Sequence, residues 1–540
     1  MKFALPVAAV NQKVVVSAVF VAAMFMNIMD GTVVNVALPT LSRYFGAPIG
    51  SVSGVVTAYL VALAVAMPAS GWVGDRFGGR NVLVAAIGLF TGASALCGVA
   101  TSLPELIAFR ALQGLGGGML VPVGMTMVTR VFPPAERIKA NQILVVPTLL
   151  APALGPVIGG ALVDGLSWRW IFYVNLPVGL LAVAIGALFL PGGSEHAAGR
   201  FDLPGIVLVA AGFPLFLYAI SVGSSSGWSS APVVGSGVAG VALLAAFVLV
   251  EQRVASPLLR LRIYRDRLFR ITSLQLVAAS AGFMGTLFLV PLLLQNGLGF
   301  SAIHSGLATF TEALGGMTGT QVTSRIYKRV GPRRLMIAGM SGSVLTIGLM
   351  ALAGRSDAFW LIPLLMYFTG CSFGFAMAPS LAANMAKISP AETGHASTLQ
   401  NTVRQAGAAA GVALLGTVLG ASGAGPRDLA GYHLAFLAAA GLMAVGVLLR
   451  LRQRRRRRRD DGRRAVGGRG RSAGGSRLTG RSTRCYSNKD VGRELVPETS
   501  LNVTQGRSRS NRRSHLGAKV VRLCALNTPF IHLLRVQVWP

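Results

Sequence analysis

The sequence predicts an all-α membrane protein that crosses the bilayer fourteen times. Only 13% of the 540 residues are charged, and 53% are hydrophobic, whereas soluble proteins carry about 25% charged residues. A helix needs roughly 20 mostly apolar residues to span a membrane. Runs of that kind lie at 14–38, 52–73, 82–101, 105–127, 141–164, 170–190, 204–223, 231–250, 271–294, 304–324, 335–354, 359–382, 397–421 and 431–449.

The loops between these runs carry an uneven distribution of basic residues. If the N-terminus lies inside the cell, the inside segments hold twenty Lys and Arg residues, and the outside segments hold only Arg43, Arg169, Arg355 and Arg427. Basic residues collect on the cytoplasmic side of a membrane. We therefore expect a multi-pass protein of the cytoplasmic membrane with both termini in the cytoplasm.

The C-terminal tail has a different composition from the rest of the chain. Residues 450–540 contain 24 Lys and Arg but 5 Asp and Glu, including the six arginines 454–459. This composition predicts a disordered Arg-rich cytoplasmic tail at 451–540 that contacts anionic lipid headgroups. No nucleic-acid module is recognisable, so we expect no nucleic acid as a partner. A functional tail and a read-through or frame-shifted extension are both open.

Several classes of protein are disfavoured by what the sequence lacks. Its four cysteines have neither a disulfide framework nor zinc-ligand spacing. The loops are short and contain no H-E-x-x-H, G-x-S-x-G or P-loop signature. We therefore expect no catalytic residue, no metal and no cofactor, and a membrane enzyme or sensor is a remote alternative.

Among the ionisable residues inside predicted spans, three are candidates for a function within the membrane: Asp30 in span 1, Arg110 in span 4 and Glu312 in span 10. A charge at the centre of a bilayer costs about 2.5–3.5 kcal/mol on insertion scales, and such residues usually handle protons, ions or substrate. The two carboxyl groups are candidates for a proton that competes with a cationic substrate. The structural alternatives are an Asp30 near the outer end of its span, a Glu312 near the interface, and an Arg110 that snorkels to the headgroups.

The segment that follows span 2, Gly71-Trp72-Val73-Gly74-Asp75-Arg76-Phe77-Gly78-Gly79-Arg80, has a partial copy after span 10. The copy, Lys328 to Arg333, keeps the R-x-G-x-R skeleton. Repeated halves around a central site are a transporter architecture. In span 5, Pro152 and Pro156 predict a bend, while glycines in the same segment allow close helix packing.

These motifs together resemble the major facilitator superfamily, and in particular its 14-helix drug:proton antiporter branch. The segments that carry the resemblance are Asp30 to Pro39, Gly71 to Arg80, Arg110 to Gly118, Ala151 to Gly160, Trp168 to Pro177 and Asn401 to Gly407. The resemblance covers roughly residues 14–449. Gly79 departs from the superfamily pattern, which has a basic residue there.

The resemblance implies roles for individual residues. Arg110 joins Asp30 and Glu312 in proton coupling and substrate binding. The conformational latch is Gly71, Gly74, Asp75, Arg76, Gly78 and Arg80. The antiporter motif, which seals the cavity and marks exporters, is Pro152, Gly155, Pro156, Gly159 and Gly160. The remaining polar motif residues are Thr32, Asn35, Gln113, Asn175, Arg404 and Gln405.

The resemblance also implies a domain plan and a function. We expect six-helix bundles at 1–190 and 271–450, separated by two extra transmembrane helices and a basic cytoplasmic loop at 191–270. The two bundles are expected to rock around a central cavity. The expected function is proton-driven export of lipophilic or cationic drugs and antibiotics by a monomer. The alternative is a dedicated exporter of one endogenous metabolite or self-made antibiotic.

Overall fold

The computed structural model describes residues 11–133, 136–192, 202–254, 257–353, 358–389, 392–421 and 429–469. All regular secondary structure in these ranges is helical. The helices are α1 (Gln12–Phe45), α2 (Ile49–Phe77), α3 (Gly79–Val99), α4 (Leu103–Val131), α5 (Arg137–Gly165), α6 (Trp170–Tyr173), α7 (Asn175–Phe189), α8 (Leu203–Ser226), α9 (Ala231–Arg253), α10 (Arg267–Leu292), α11 (Ala302–Val330), α12 (Pro332–Met350), α13 (Ala358–Met385), α14 (Thr393–Ala421) and α15 (Leu429–Arg469).

Each of the fourteen predicted spans coincides with helix, and α6 with α7 forms the sixth. Eleven spans are long and apolar enough to cross a membrane by length and composition. The apolar part of α5, Leu150–Gly165, is shorter, while α11 and α12 carry Glu312 and several basic residues. Tertiary contacts, rather than hydropathy alone, identify these three as part of the helical bundle.

The repeated motif forms the same turn twice. Gly78 joins α2 to α3 with φ 82° and ψ 131°, and Gly331 joins α11 to α12 with φ 82° and ψ 152°. A side chain would strain this positive-φ conformation, which glycine adopts readily. The short sequence repeat therefore corresponds to a repeated backbone elbow.

Two helix pairs form the most extensive contacts between α1–α7 and α10–α15. One pair is α2 with α14, and the other is α5 with α11. At one end, Gln295, in the π-helical turn that follows α10, donates to the backbone oxygen of Val36 in α1 at 2.8 Å. At the same end, Asp164 Oδ2 accepts from the Ile303 amide at 2.7 Å and Oδ1 from the Ala302 amide at 3.2 Å. We call this the closed end.

The two extra helices, α8 and α9, pack mainly on each other. α8 also contacts α2 and α14, and Thr417 of α14 donates to the backbone oxygen of Ile220 in α8 at 2.7 Å. A short 3₁₀ turn at Leu261–Arg265 connects them to α10. The accessory pair therefore lies against the α2–α14 contact between the halves.

The last helix is longer than the predicted span. α15 runs through Arg469, so residues 451–469, which were predicted to be disordered, are helical. Arginine is a good helix former, and extending an existing helix avoids the cost of nucleation. The rest of the predicted disordered tail lies outside the described residues, and the four-part domain plan stays a prediction.

Candidate functional site

Asp30 and Arg110 form a buried ion pair. Asp30 is 0% exposed and Arg110 is 1% exposed, and Arg110 Nη1 lies 2.5 Å from Asp30 Oδ2. Their helices, α1 and α4, are brought together by the fold although the residues are far apart in sequence. Removing one member of a buried pair leaves an uncompensated charge, which is strongly destabilising.

Two amide side chains complete the hydrogen bonds of the Asp30 carboxylate. Gln113 donates to Oδ1 at 2.9 Å, and Asn175 at the start of α7 donates to the same oxygen at 3.2 Å. Both amides also lie within reach of the Ser94 hydroxyl, at 3.2 Å and 3.1 Å. Four helices of the first half, α1, α3, α4 and α7, therefore meet at one carboxylate.

The guanidinium of Arg110 is held on its other sides as well. Its Nε donates to the Val55 backbone oxygen at 3.2 Å, and its Nη1 donates to Gln113 Oε1 at 2.7 Å. The Tyr59 ring stacks on it, with 4.1 Å from Arg110 Cζ to the ring centroid. Tyr59 in turn donates to Asn27 Oδ1 at 2.5 Å. These contacts fix the orientation of the cation.

This geometry bears on the roles predicted for the pair. The described contacts of Arg110 all lie inside the protein, which argues against a snorkelling arginine, and Asp30 lies in the middle of the long helix α1. Neither residue lines the cavity described below. Direct competition between substrate and proton for Asp30 therefore requires a rearrangement of this network.

Glu312 occupies a different environment in the second half. It is 6% exposed, yet its carboxyl group forms no ion pair or hydrogen bond within the described residues. A Cβ added to Gly370 of α13 would collide with the Glu312 backbone oxygen, and one added to Gly315 would collide with the Tyr367 backbone oxygen. α11 and α13 thus pack backbone to backbone, which fixes the position of Glu312 next to α13.

The other polar motif residues are dispersed. Arg404 of α14 is half-buried and its Nε has no hydrogen-bond partner in the described residues, while Gln405 is 9% exposed. Asn35 is buried, and its Oδ1 has no partner there either. Thr32 donates to its own helix, at Met29 O, over 2.9 Å. None of these residues joins the Asp30 network.

A cavity of about 720 Å³ lies between the halves, at the end opposite the closed end. Its walls come from the last turns of α2 and α4, the first turns of α14, the 257–260 segment and Asp202. Ligand pockets in proteins are typically about 300–1,000 Å³. Its charged and titratable lining residues are Asp75, Arg130, Asp202, Arg260 and His395.

The predicted latch residues lie at the mouth of this cavity. Asp75 and Arg76 form the exposed last turn of α2 rather than a loop. Gly71, Gly74 and Asp75 line the cavity. Gly78 forms the elbow, and Arg80 donates to the Ala187 backbone oxygen of α7. The latch role itself stays a prediction.

The antiporter motif lies between α1 and α11. A Cβ on Gly155 would collide with Thr32 of α1, and one on Gly159 would collide with Val33. A Cβ on Gly160 would collide with the Ala302 backbone oxygen at the start of α11, and the Pro156 backbone oxygen lies close to Gly306 of α11. α5 remains helical through Pro152 and Pro156. The glycines therefore permit a tight contact between the halves at the closed end.

Sequence reasoning overlooked part of the site. Ser94, Tyr59 and Asn27 lie in apolar helices at unremarkable positions and carry no motif. Asp202 and Glu251 lie just outside predicted spans and were not identified, although both are buried. Their only signal in the sequence is a polar side chain within a predicted span or at its end, and a search for all such residues would have found them.

Comparison with known proteins gives a consistent family. The family model for the Major Facilitator Superfamily matches residues 20–412. A putative multidrug resistance protein, MdtD, of Salmonella heidelberg is 34% identical over 404 residues, which are 74% of this chain and 85% of that protein. A multidrug resistance protein B homolog of Mycobacterium tuberculosis is 33% identical over 405 residues, covering 74% and 75%.

Solved structures agree on the fold. A bacterial homolog of the human lysosomal transporter Spinster, in an inward-facing and unoccupied conformation, superposes with a TM-score of 0.57 at 16% identity over 81% of this chain and 96% of that one. The xylose transporter XylE of E. coli, in a partially occluded inward-open conformation, gives 0.56 at 13% identity over 82% and 99%.

Proposed function

This chain belongs to the major facilitator superfamily, and we propose that it exports lipophilic or cationic drugs and antibiotics in exchange for protons. It is a multi-pass membrane transporter and not an enzyme. The observation that carries the proposal is the cavity, which is lined by both halves and closed at one end. Relatives of this chain are named for multidrug resistance, which supports a drug as the substrate.

The distribution of basic residues supports an orientation. With the N-terminus in the cytoplasm of the cell, the ends of α2 and α4 and the start of α14 face the cytoplasm. The cavity then opens inwards, and the closed end formed by Asp164 and Ala302 faces outwards. An inward-open cavity in the cytoplasmic membrane is the loading state of an exporter.

The two buried carboxyl groups are proposed to have different tasks. Asp30 accepts three hydrogen bonds, one of them from Arg110, so its charge is compensated. Glu312 has no such partner in the described residues, and a buried unpaired charge costs several kcal/mol. We therefore assign the transported proton to Glu312 in this conformation, and a structural, motion-coupled role to Asp30 and Arg110.

Export follows from alternating access of the halves. Substrate enters the cavity from the cytoplasm or the inner leaflet while Glu312 is protonated. Glu312 does not line the cavity either, so release of its proton towards the cytoplasm favours a bound cation through the negative charge it leaves and not through direct contact. Opening of the closed end then exposes the cavity to the outside. A membrane potential contributes about 2.3 kcal/mol per charge per 100 mV, which is enough to drive accumulation.

The test is uptake into inverted membrane vesicles with an imposed pH gradient, acid inside. Tetraphenylphosphonium and ethidium serve as lipophilic cations, and neutral antibiotics form a second set. We expect gradient-dependent uptake that an uncoupler abolishes. Uptake of one chemical class alone supports the dedicated-exporter alternative, and uptake that continues without any gradient or voltage contradicts proton antiport.

A further inference from the structure

A second pair of buried carboxyl groups lies outside the site described above, on the accessory helices. Asp202 precedes α8 and is 3% exposed, and Glu251 lies near the end of α9 and is 4% exposed. The two carboxyl groups lie close enough to interact electrostatically. Two acidic side chains therefore meet where only a small fraction of either is exposed.

The hydrogen bonds of this pair account for two of its four oxygens. Asp202 Oδ1 accepts from the Gly205 amide at 2.9 Å and caps α8. Glu251 Oε2 accepts from the Leu259 amide at 3.1 Å. Asp202 Oδ2 and Glu251 Oε1 have no hydrogen-bond partner in the described residues. Each oxygen can only accept while both groups are ionised, so the arrangement lacks a donor.

Neighbouring charges do not supply that donor. Charged and titratable groups on the elements packed around the pair include Asp75 and Arg76 of α2, Arg253 of α9, Arg260, Arg262, Tyr264 and Arg265 of the connecting segment, and Glu392, His395 and Arg404 at or within α14. Within the described residues none of them forms an ion pair with either carboxyl group. Arg253 and Arg260 are exposed, so water screens them from the pair.

The surroundings explain why the pair is buried. A small apolar cluster of Phe247, Leu259, Ile263, Phe269, Ala396 and Leu399 joins α9, the connecting segment, α10 and α14. Glu251 lies one turn from Phe247 and bonds the Leu259 amide, so it borders this cluster. Asp202 also contributes to the wall of the cavity, which gives a route for protons.

We propose that Asp202 and Glu251 form a proton-binding site in which one proton is shared between Asp202 Oδ2 and Glu251 Oε1. The proton supplies the missing donor and converts two facing acceptors into an O–H···O hydrogen bond. It connects the start of α8 to the end of α9 and, through Leu259, to the segment that leads into α10. Loss of the proton leaves two buried negative charges in contact and loosens this junction.

Infrared spectroscopy of the purified full chain tests the proposal. Wild type should show the carbonyl stretch of a protonated carboxylic acid, which shifts on exchange into D₂O. Glu251→Gln and Asp202→Asn should each remove the same band, because either amide supplies the donor and leaves the other group ionised. Difference spectra against wild type cancel the contribution of Glu312, and Asp266→Asn, at an ordinary helix cap, should remove no such band.

Thermal unfolding of the wild-type protein as a function of pH is a second test, which can be made even if a variant folds poorly. A proton held in the folded state makes stability fall as the pH rises. Wild type should therefore lose stability between mildly acidic and mildly alkaline pH, and Glu251→Gln should show a smaller slope. A band that persists in both variants overturns the proposal. Absence of the band together with stabilisation by Na⁺, Mg²⁺ or Ca²⁺ at alkaline pH also overturns it, in favour of a cation site.

Discussion

The two halves of the protein differ in how their buried carboxyl groups are compensated. In the first half, Asp30 and Arg110 neutralise each other, and amides from two further helices complete the carboxylate's hydrogen bonds. In the second half, Glu312 is equally removed from solvent but has no partner in the described residues. A buried acid therefore has a different role in each half. Asp30 holds helices together through its ion pair and hydrogen bonds, whereas Glu312 is available to bind a proton.

The largest effect is expected when the pair in the first half is broken. Arg110→Met leaves the Asp30 carboxylate buried without its cation, which should lower the free energy of unfolding in detergent by about 3–5 kcal/mol. Asp30→Asn combined with Arg110→Met should recover part of that loss. Chemical denaturation of the four proteins in this cycle measures the coupling, and additive effects would contradict a structural pair.

Glu312→Gln should have the reverse profile. A carboxamide of nearly the same shape replaces a carboxyl group that has no partner to lose in the described residues, so we expect a smaller loss of stability than for Arg110→Met. Transport should lose its dependence on the pH gradient while substrate exchange continues. Glu105→Gln, at an exposed position in the first turn of α4, is the control. Unchanged gradient-driven uptake by the Glu312 variant would move the proton site elsewhere.

The contact between α5 and α11, which is proposed to seal the closed end, can be tested at Gly160. Gly160→Ala adds a methyl group where the Ala302 backbone oxygen lies, and should cost about 1–3 kcal/mol by overpacking. Gly92→Ala, at a position with open space, should cost nothing. Proton leak through vesicles that contain each variant measures the seal. Equal leak in the two variants would show that this contact does not close the cavity.

Among the variants that disturb pairing or packing, the smallest effect on stability is expected at Asp164. Asp164→Asn retains one acceptor for the α11 amides but removes a charge-assisted hydrogen bond, which should weaken the closed end by about 1 kcal/mol. Spin-label distances between the ends of α5 and α11 should shift towards a longer population. Asp266→Asn, a cap within a single half, should leave that distribution unchanged, and a shared response would argue for a general loss of stability.

Hydropathy and turn chemistry predicted most of the fold. Each apolar run became a helix, and the elbow at Gly331 follows from the glycine that the repeat retains. The end of α15 was mispredicted because charge repulsion was given more weight than helix propagation through the arginines. The domain boundaries and the membrane orientation stay predictions.

The site was only partly predictable. Asp30, Arg110 and Glu312 were identifiable because a charge inside an apolar run is costly. Their partners were not, because a pairing across 80 positions of sequence depends on which faces of α1 and α4 meet. The sequence likewise does not predict that Asp30 is paired while Glu312 has no partner in the described residues. Asp202 and Glu251 escaped notice because both lie at span ends, where charges are ordinary.

The matched elbows at Gly78 and Gly331 have a consequence for how such a machine is built. The same positive-φ turn in both halves means that one backbone geometry is used twice. The buried charges on this repeated backbone differ, because the first half carries the Asp30–Arg110 pair and the second carries Glu312. A shared backbone geometry can therefore support different roles in the two halves.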